Sequence, residues 1–172
     1  MRDPVASHYV HFACMGLVRV DFDETVIRSI VLLGERAAPA ATAQRVPPHV
    51  VDLVARLGRY ASGLNPAFHE VSLPLEDLTP FAAHALSALR GTSPGDVLAY
   101  GELAARAGHP GASRAVGHAL SKNRWPIVVP CHRVTRADGT LGGFTGGDGS
   151  ATKKALLDHE RAAFLDGSSP RS

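Results

Sequence analysis

Cysteine is scarce: only Cys14 and Cys131 occur in 172 residues, far apart and outside any Cys-x-x-Cys pair. That argues against a disulfide framework and against a zinc site built on thiolates. Cys14, His8 and His11 are the only ligand types clustered near the N-terminus, too few to expect a metal there. Long apolar runs are missing as well. The longest, such as Ile30 to Leu33 and Ile127 to Pro130, fall far short of a bilayer span. No apolar stretch of the secretory kind follows Met1-Arg2-Asp3-Pro4. The expected setting is therefore cytoplasmic, with reduced thiols and no membrane contact. A strong net charge is also absent, the total being only +2.

The distribution of charge says more than its sum. Residues 1–80 carry seven Lys/Arg and nine Asp/Glu, whereas residues 81–172 carry eleven and seven. Arg106, Arg114, Lys122, Arg124, Arg133 and Arg136 follow one another with no acidic residue between them. Such a one-sided stretch suits a polyanion, although a solvated basic face would read the same way.

The chain has an ordinary apolar content of 45%, enough for a core, and a length that allows one medium domain or two small ones. Gly16 to Phe22 alternates apolar and polar, Asp23-Glu24 is a turn, and Val26 to Leu33 is a second β-branched run, which together predict a hairpin. Cys14 falls in this apolar strand region and is expected in the core. Ala37 to Pro48 reads as a loop. A helix is expected over Val50 to Ala61, with Val51, Leu53, Val54, Leu57 and Tyr60 as its stripe. Phe68 to Leu75 alternates again and predicts another strand. Residues 1–78 thus read as an α/β N-terminal domain.

Residues 79–166 read as a mainly α-helical C-terminal domain, and the tail from Gly167 as disordered. Thr79 caps a helix with Pro80 in its first turn and Phe81, Ala85, Leu86 and Leu89 inward. Tyr100 to Ala107 and Ala112 to Leu120 read as short helices across Gly108-His109-Pro110-Gly111, a helix-turn-helix pattern that many plain helical hairpins share. Pro126 to Pro130 is expected to be extended and buried, Gly142 to Gly147 a loop, and Lys153 to Phe164 a closing helix. Trp125 is expected to pack inside, and His109 and His118 to lie on the surface.

Chemistry concentrates in Pro130-Cys131-His132-Arg133-Val134. A thiol at the edge of a core beside two potential cations should have a lowered pKa and a raised thiolate fraction. An inert buried cysteine beside a surface histidine is the alternative. This pentapeptide resembles the active-site signature of the O6-alkylguanine-DNA alkyltransferases, also called methylated-DNA–protein-cysteine methyltransferases. Tyr100-Gly101-Glu102-Leu103-Ala104 is similar to the start of that family's DNA-binding helix pair, and Ala112-Ser113-Arg114-Ala115-Val116-Gly117 to its recognition helix. Asn123, Pro126, the Gly142 to Gly147 loop and Leu156-Leu157-Asp158-His159-Glu160 continue the likeness, which covers about residues 9 to 165.

The resemblance implies a ribonuclease-H-like first domain and a winged-helix-like second one. It implies irreversible transfer of an alkyl group from O6 of guanine, and O4 of thymine, in duplex DNA to Cys131 after base flipping. His132 would activate the thiol through a water, Glu160 would orient His132, and Tyr100 would protonate the departing base. Arg114 would fill the gap left by the flipped guanine, on a thin helix face made by Ala112, Ser113, Ala115 and Gly117. Val134, Phe144, Thr145, Asn123 and Pro126 would form or support the substrate pocket. No cofactor and no metal are implied, and the partner would be duplex DNA, met through the minor groove by a monomer with little sequence preference.

Four departures stand out. Phe81-Ala82-Ala83-His84-Ala85-Leu86 differs from the family's usual first helix. Arg124 replaces a usual proline, which would loosen that turn and add a charge. Phe144 replaces a frequent Tyr, and Asp148 to Thr152 is about two residues longer than usual. Three rival readings remain open: a lesion-binding relative without chemistry, which normally lacks the cysteine; a cysteine hydrolase, which would turn over; and a helix-turn-helix regulator, which needs base-reading side chains.

Overall fold

A computed structural model describes residues 5–36 and 45–165. The N-terminal tetrapeptide, most of the loop expected before Pro48, and the tail expected from Gly167 lie outside the described residues. Three antiparallel strands open the chain: β1 (Ala6–Phe12), β2 (Gly16–Phe22) and β3 (Ile27–Gly34), in the order β1-β2-β3. Alternation in β2 puts Val18, Val20 and Phe22 into the core, while Asp21 on the outer face accepts from Ser7 and Ser29. β1 was not expected, because its apolar positions are only partly buried at the sheet edge. Cys14 lies in the β1–β2 turn and is half-buried, which corrects its expected place within a strand. That turn closes tightly: a Cβ on Gly16, at φ 69°, would sit 2.5 Å from the Gly34 carbonyl oxygen.

Helix α1 (Pro48–Ala61) starts on a proline at its first turn, and buries Val50, Leu53, Leu57 and Tyr60. Val51, expected in that stripe, is 56% exposed, since the buried face is set by Val50 at the 3–4-residue spacing. The strand expected over Phe68 to Leu75 is absent. Two single 3-10 turns, Phe68–Glu70 and Leu75–Asp77, stand there instead. Phe68, Val71 and Leu73 do face the core, but Pro66 and Pro74 bracket the segment and the Arg90 guanidinium binds the Phe68 and Val71 carbonyls, leaving no ladder to join.

Helix α2 (Pro80–Arg90) is capped by the Thr79 hydroxyl, which accepts from the Ala82 N–H. It packs against α3 (Tyr100–Arg106) and α4 (Ser113–Ser121), two short helices joined through the Gly108 to Gly111 turn. β4 (Leu98–Ala99) and β5 (Val134–Thr135) form a small parallel pair, and α5 (Ser150–Glu160) runs into one π-helical turn, Arg161–Leu165. The closing helix thus begins three residues before the expected Lys153. One apolar cluster joins both halves, from Val18 and Leu53 to Leu89, Val116 and Trp125. Each of its large side chains contributes about 1.5–3 kcal/mol relative to exposure. Among the described residues, no helix is long and apolar enough to cross a membrane.

Candidate active site

Asn123, at the end of α4, shapes the approach to Cys131. Its Oδ1 accepts from the Trp125 N–H at 3.0 Å and its Nδ2 donates to the Val129 carbonyl at 2.9 Å. These two bonds fold residues 123–129 into a tight turn, closed further by Val129 N–H on Trp125 O at 2.8 Å. The expected extended run from Pro126 to Pro130 is therefore corrected: it is buried but turned, and Ile127 sits at φ 74°. A β-branched residue there is strained by roughly 1–3 kcal/mol, held by the surrounding packing. The guanidinium of Arg124, where the family's proline is usual, lies 4.7 Å from the centre of the Trp125 ring. Trp125 is fully buried and donates its Nε1–H to Ile27 O at 2.9 Å, tying the turn to β3.

Cys131, His132 and Arg133 form a single 3-10 turn, so their side chains diverge. Cys131 is half-buried and faces a cavity of about 450 Å³, which Tyr100, Arg114, Gly117, Arg136, Phe144 and Thr145 also line. Ser113 and Gly142 also belong to that wall. Gly142 is required by its surroundings: at φ 68°, a Cβ would approach the Tyr100 hydroxyl to 2.9 Å. Arg114 and Ala115 are exposed, and Ala112 packs against the core. Three of the residues expected to form or support the pocket do not line this cavity itself. Val134 is fully buried in β5, and Asn123 and Pro126 line a second cavity of about 250 Å³ between Cys131, Phe144 and β3.

His132 and Arg133 point the other way, into a buried cluster around Glu160 at the end of α5. His132 Nε2–H donates to Glu160 Oε1 at 2.8 Å, and Arg133 reaches the same carboxylate through Nε at 2.9 Å and Nη2 at 2.8 Å. The Tyr60 hydroxyl donates to Oε1 at 3.0 Å and the Gly95 N–H to Oε2 at 2.8 Å. Arg133 Nη1 is taken up by Thr92, through its carbonyl and hydroxyl at 2.7 and 2.8 Å. Burial pushes the Glu160 carboxyl up, but the hydrogen bonds and charges of His132 and Arg133 outweigh it and hold the group well below the usual carboxylate range. Burial depresses His132, with Glu160 opposing, so the imidazole is neutral at pH 7. A proton on Nε2 leaves Nδ1 as the free base nitrogen, buried and without a hydrogen-bond partner.

The expected lowering of the Cys131 pKa is not found. Burial pushes the thiol up, against smaller opposing effects from Asn123 and Lys153. The two neighbouring cations do not serve it, because His132 is neutral and Arg133 is spent on Glu160. Lys153 is the cation that does face it: fully buried, it donates from Nζ to Val134 O at 2.6 Å, and burial lowers its own pKa. Tyr60, Gly95 and Lys153 are the site residues that sequence reasoning missed, and Arg133 was singled out as a cation for the thiol but serves Glu160 instead. Tyr60 carried no signal beyond membership of an apolar stripe; a lysine in the inward register of α5 was a usable one. Among the described residues, no group of three or more His, Cys, Asp or Glu could hold a metal ion.

Residues 80–162 match the family model described as 6-O-methylguanine DNA methyltransferase, DNA binding domain. The methylated-DNA–protein-cysteine methyltransferase of Salmonella typhimurium is 51% identical over 87 residues, 51% of this chain and 50% of that protein. The Haemophilus influenzae protein of the same name is 40% identical over 108 residues, 63% of this chain and 59% of that one. The chain thus spans about half the length of the curated relatives it matches. Among solved structures, Mycobacterium tuberculosis OGT in complex with DNA superposes with a TM-score of 0.71 at 29% identity, covering 91% of this chain and 93% of that one.

Proposed function

We propose that the chain belongs to the O6-methylguanine-DNA methyltransferase family, and that it removes alkyl groups from O6 of guanine, and from O4 of thymine, in duplex DNA by a single transfer to Cys131. The observation that carries this reading is the pairing of a half-buried thiol in a cavity beside α3 and α4 with a neutral imidazole locked behind it by an ionised carboxylate. A thiol whose pKa is raised needs a base, and His132 Nδ1 is the base at hand. It takes the S–H proton through a bridging water. The sulfur then attacks the alkyl carbon, a C–S bond forms, and the C–O6 electron pair returns to the guanine ring, which Tyr100 protonates. The product is a thioether that water does not cleave, so each molecule acts once.

The damaged base must leave the stack to reach Cys131. The small residues Ala112, Ser113, Ala115 and Gly117 let α4 approach the minor groove closely with little base readout, and Arg114 enters the vacated space. The architecture fits an α/β, ribonuclease-H-like domain over residues 1–78 and a winged-helix-like alkyl-transfer domain over 79–166, acting as a cytoplasmic monomer. Phe144 and Thr145 wall the alkyl group. The test is mass spectrometry after mixing with a methylated duplex oligonucleotide. One added methyl per chain, on Cys131 alone, is expected. Product released beyond one equivalent favours a cysteine hydrolase, and a methyl on Cys14 removes the site assignment.

A further inference from the structure

Glu160 Oε1 is shared by three side chains from two parts of the chain, and one of them comes from far upstream. His132 and Arg133 are neighbours on the Cys131 turn, whereas Tyr60 reaches the same oxygen from the last turn of α1, 100 residues earlier. We propose that Tyr60 is a positioning residue for alkyl transfer: its hydroxyl governs how strongly Glu160 holds the His132 imidazole, and so how good a base Nδ1 is. The proposal rests on the transfer reading above for its kinetic consequence, not for its geometry.

The phenol is fixed for this role. Its ring packs 5.9 Å from Phe68, 5.3 Å from His159 and 6.2 Å from Phe164, centre to centre. Its backbone carbonyl lies 2.9 Å from the His159 Nε2, so the end of α1 is pinned to the end of α5. The hydroxyl is buried and cannot turn to solvent. Burial and the facing Glu160 charge hold the phenol protonated, so it is a donor at every working pH. An acceptor oxygen shared among donors gives less to each, and a carboxylate relieved of one donor becomes more basic toward the others. The charged and titratable groups facing this cluster are Glu160, His159 and Lys153 from α5, Arg133 beside His132, Cys131 at the cavity, and Cys14 from the β1–β2 turn. Arg133 and Lys153 disfavour the imidazolium; Glu160 alone favours it, and Tyr60 moderates Glu160.

Tyr60→Phe keeps the ring and deletes the hydroxyl. Single-turnover reaction with free O6-benzylguanine, which requires no DNA, should show the acid limb of the pH–rate profile moved up by about half to one pH unit, a fraction of what a direct charge neighbour produces. That shift is three- to tenfold slower on the limb and within about twofold on the alkaline plateau. Nitrogen NMR of the His132 ring should show the same upward shift in its protonation midpoint. Placing 3-fluorotyrosine at position 60 preserves packing, strengthens the donor and should move both readouts down, so the inference stands testable even where Tyr60→Phe folds poorly. An unmoved His132 midpoint in both variants overturns it, as does uniform slowing at every pH together with a lowered Tm, the mark of a packing role. Wild-type protein that transfers no alkyl group would defeat the functional reading, while the NMR titration would still decide the role of Tyr60.

Discussion

Glu160 carries a full negative charge inside the protein because four groups satisfy it at once: His132, Arg133, Tyr60 and the Gly95 N–H. Its value to stability is asymmetric. Neutralising it leaves the Arg133 guanidinium, 3% exposed, with no counter-charge. Breaking one side of a buried ion pair costs about 3–5 kcal/mol, far more than the pair contributes relative to an apolar substitute. Glu160→Gln, which keeps the shape, is therefore expected to lose several kcal/mol in urea titration and to lose alkyl transfer as well. A loss under 1 kcal/mol would mean that Arg133 finds another partner and that the cluster is not structural. Cys14 offers the contrast at this scale. Burial pushes its thiol up to about 11, and it does not line the cavity that Cys131 faces, so it should stay silent where Cys131 reacts.

Helices α3 and α4 bring Tyr100, Ser113, Arg114 and Gly117 to the cavity that Cys131 faces. Arg114 is exposed at the first turn of α4, where it can meet duplex but has no part in the buried cluster. If it fills the space of a flipped guanine, it matters only when there is a hole to fill. Arg114→Ala should slow reaction with alkylated duplex by about 1–3 kcal/mol, or 5- to 150-fold, and reaction with free O6-benzylguanine by less than about threefold. Equal slowing on both substrates, read by single-turnover kinetics, would leave Arg114 as scaffold. A plain phosphate contact would instead weaken binding to all DNA and reduce the salt slope by about one. The elements themselves were largely readable in sequence. The hairpin and helices announce themselves through periods of two and 3.6, and Thr79-Pro80 and Gly108 through their caps and turns. Two segments misled for one reason: Phe68 to Leu75 and Pro126 to Pro130 are apolar and inward, but prolines, Arg90 and Asn123 supply their backbone partners in place of a strand. Ile127 at positive φ carried no warning, since turns there normally declare themselves with Gly or Asn. The cavity residues Tyr100, Arg114, Cys131, Phe144 and Thr145 were found by motif. Tyr60 was not, because a polar head on a buried apolar stem looks like core in any one-dimensional pattern, and Lys153 was passed over although a lysine in an inward register was itself a signal.

The whole molecule should be acid-sensitive, and the sign follows from two depressed pKa values. His132 is held below its ordinary 6.5, so as pH falls below that value the unfolded chain takes up a proton that the folded one refuses. Glu160 is held below its ordinary 4.5, and the same difference opens there at lower pH. Both contributions are present above the unfolded pKa values and are lost as pH falls. Thermal melts from pH 7.5 to 4 are expected to show Tm declining from about pH 6.5, with Asp23, buried and held low by Thr25, Val26 and Arg28, steepening the acid end. A flat Tm across pH 7 to 5 would show that His132 is solvated in the folded protein.

The same cluster has a consequence in time. The His132 imidazole, proposed above as the base for Cys131, is held by a carboxylate 28 residues further along the chain, which in turn is met by a phenol supplied 100 residues before it. Contacts of such sequence separation form late in folding. During synthesis, therefore, Cys131 and His132 emerge together, but ahead of the carboxylate that holds the imidazole in place. If transfer to Cys131 happens once per molecule, as proposed, a thiol left unarmed until α5 has been made and docked cannot spend its single acceptor on an electrophile met earlier.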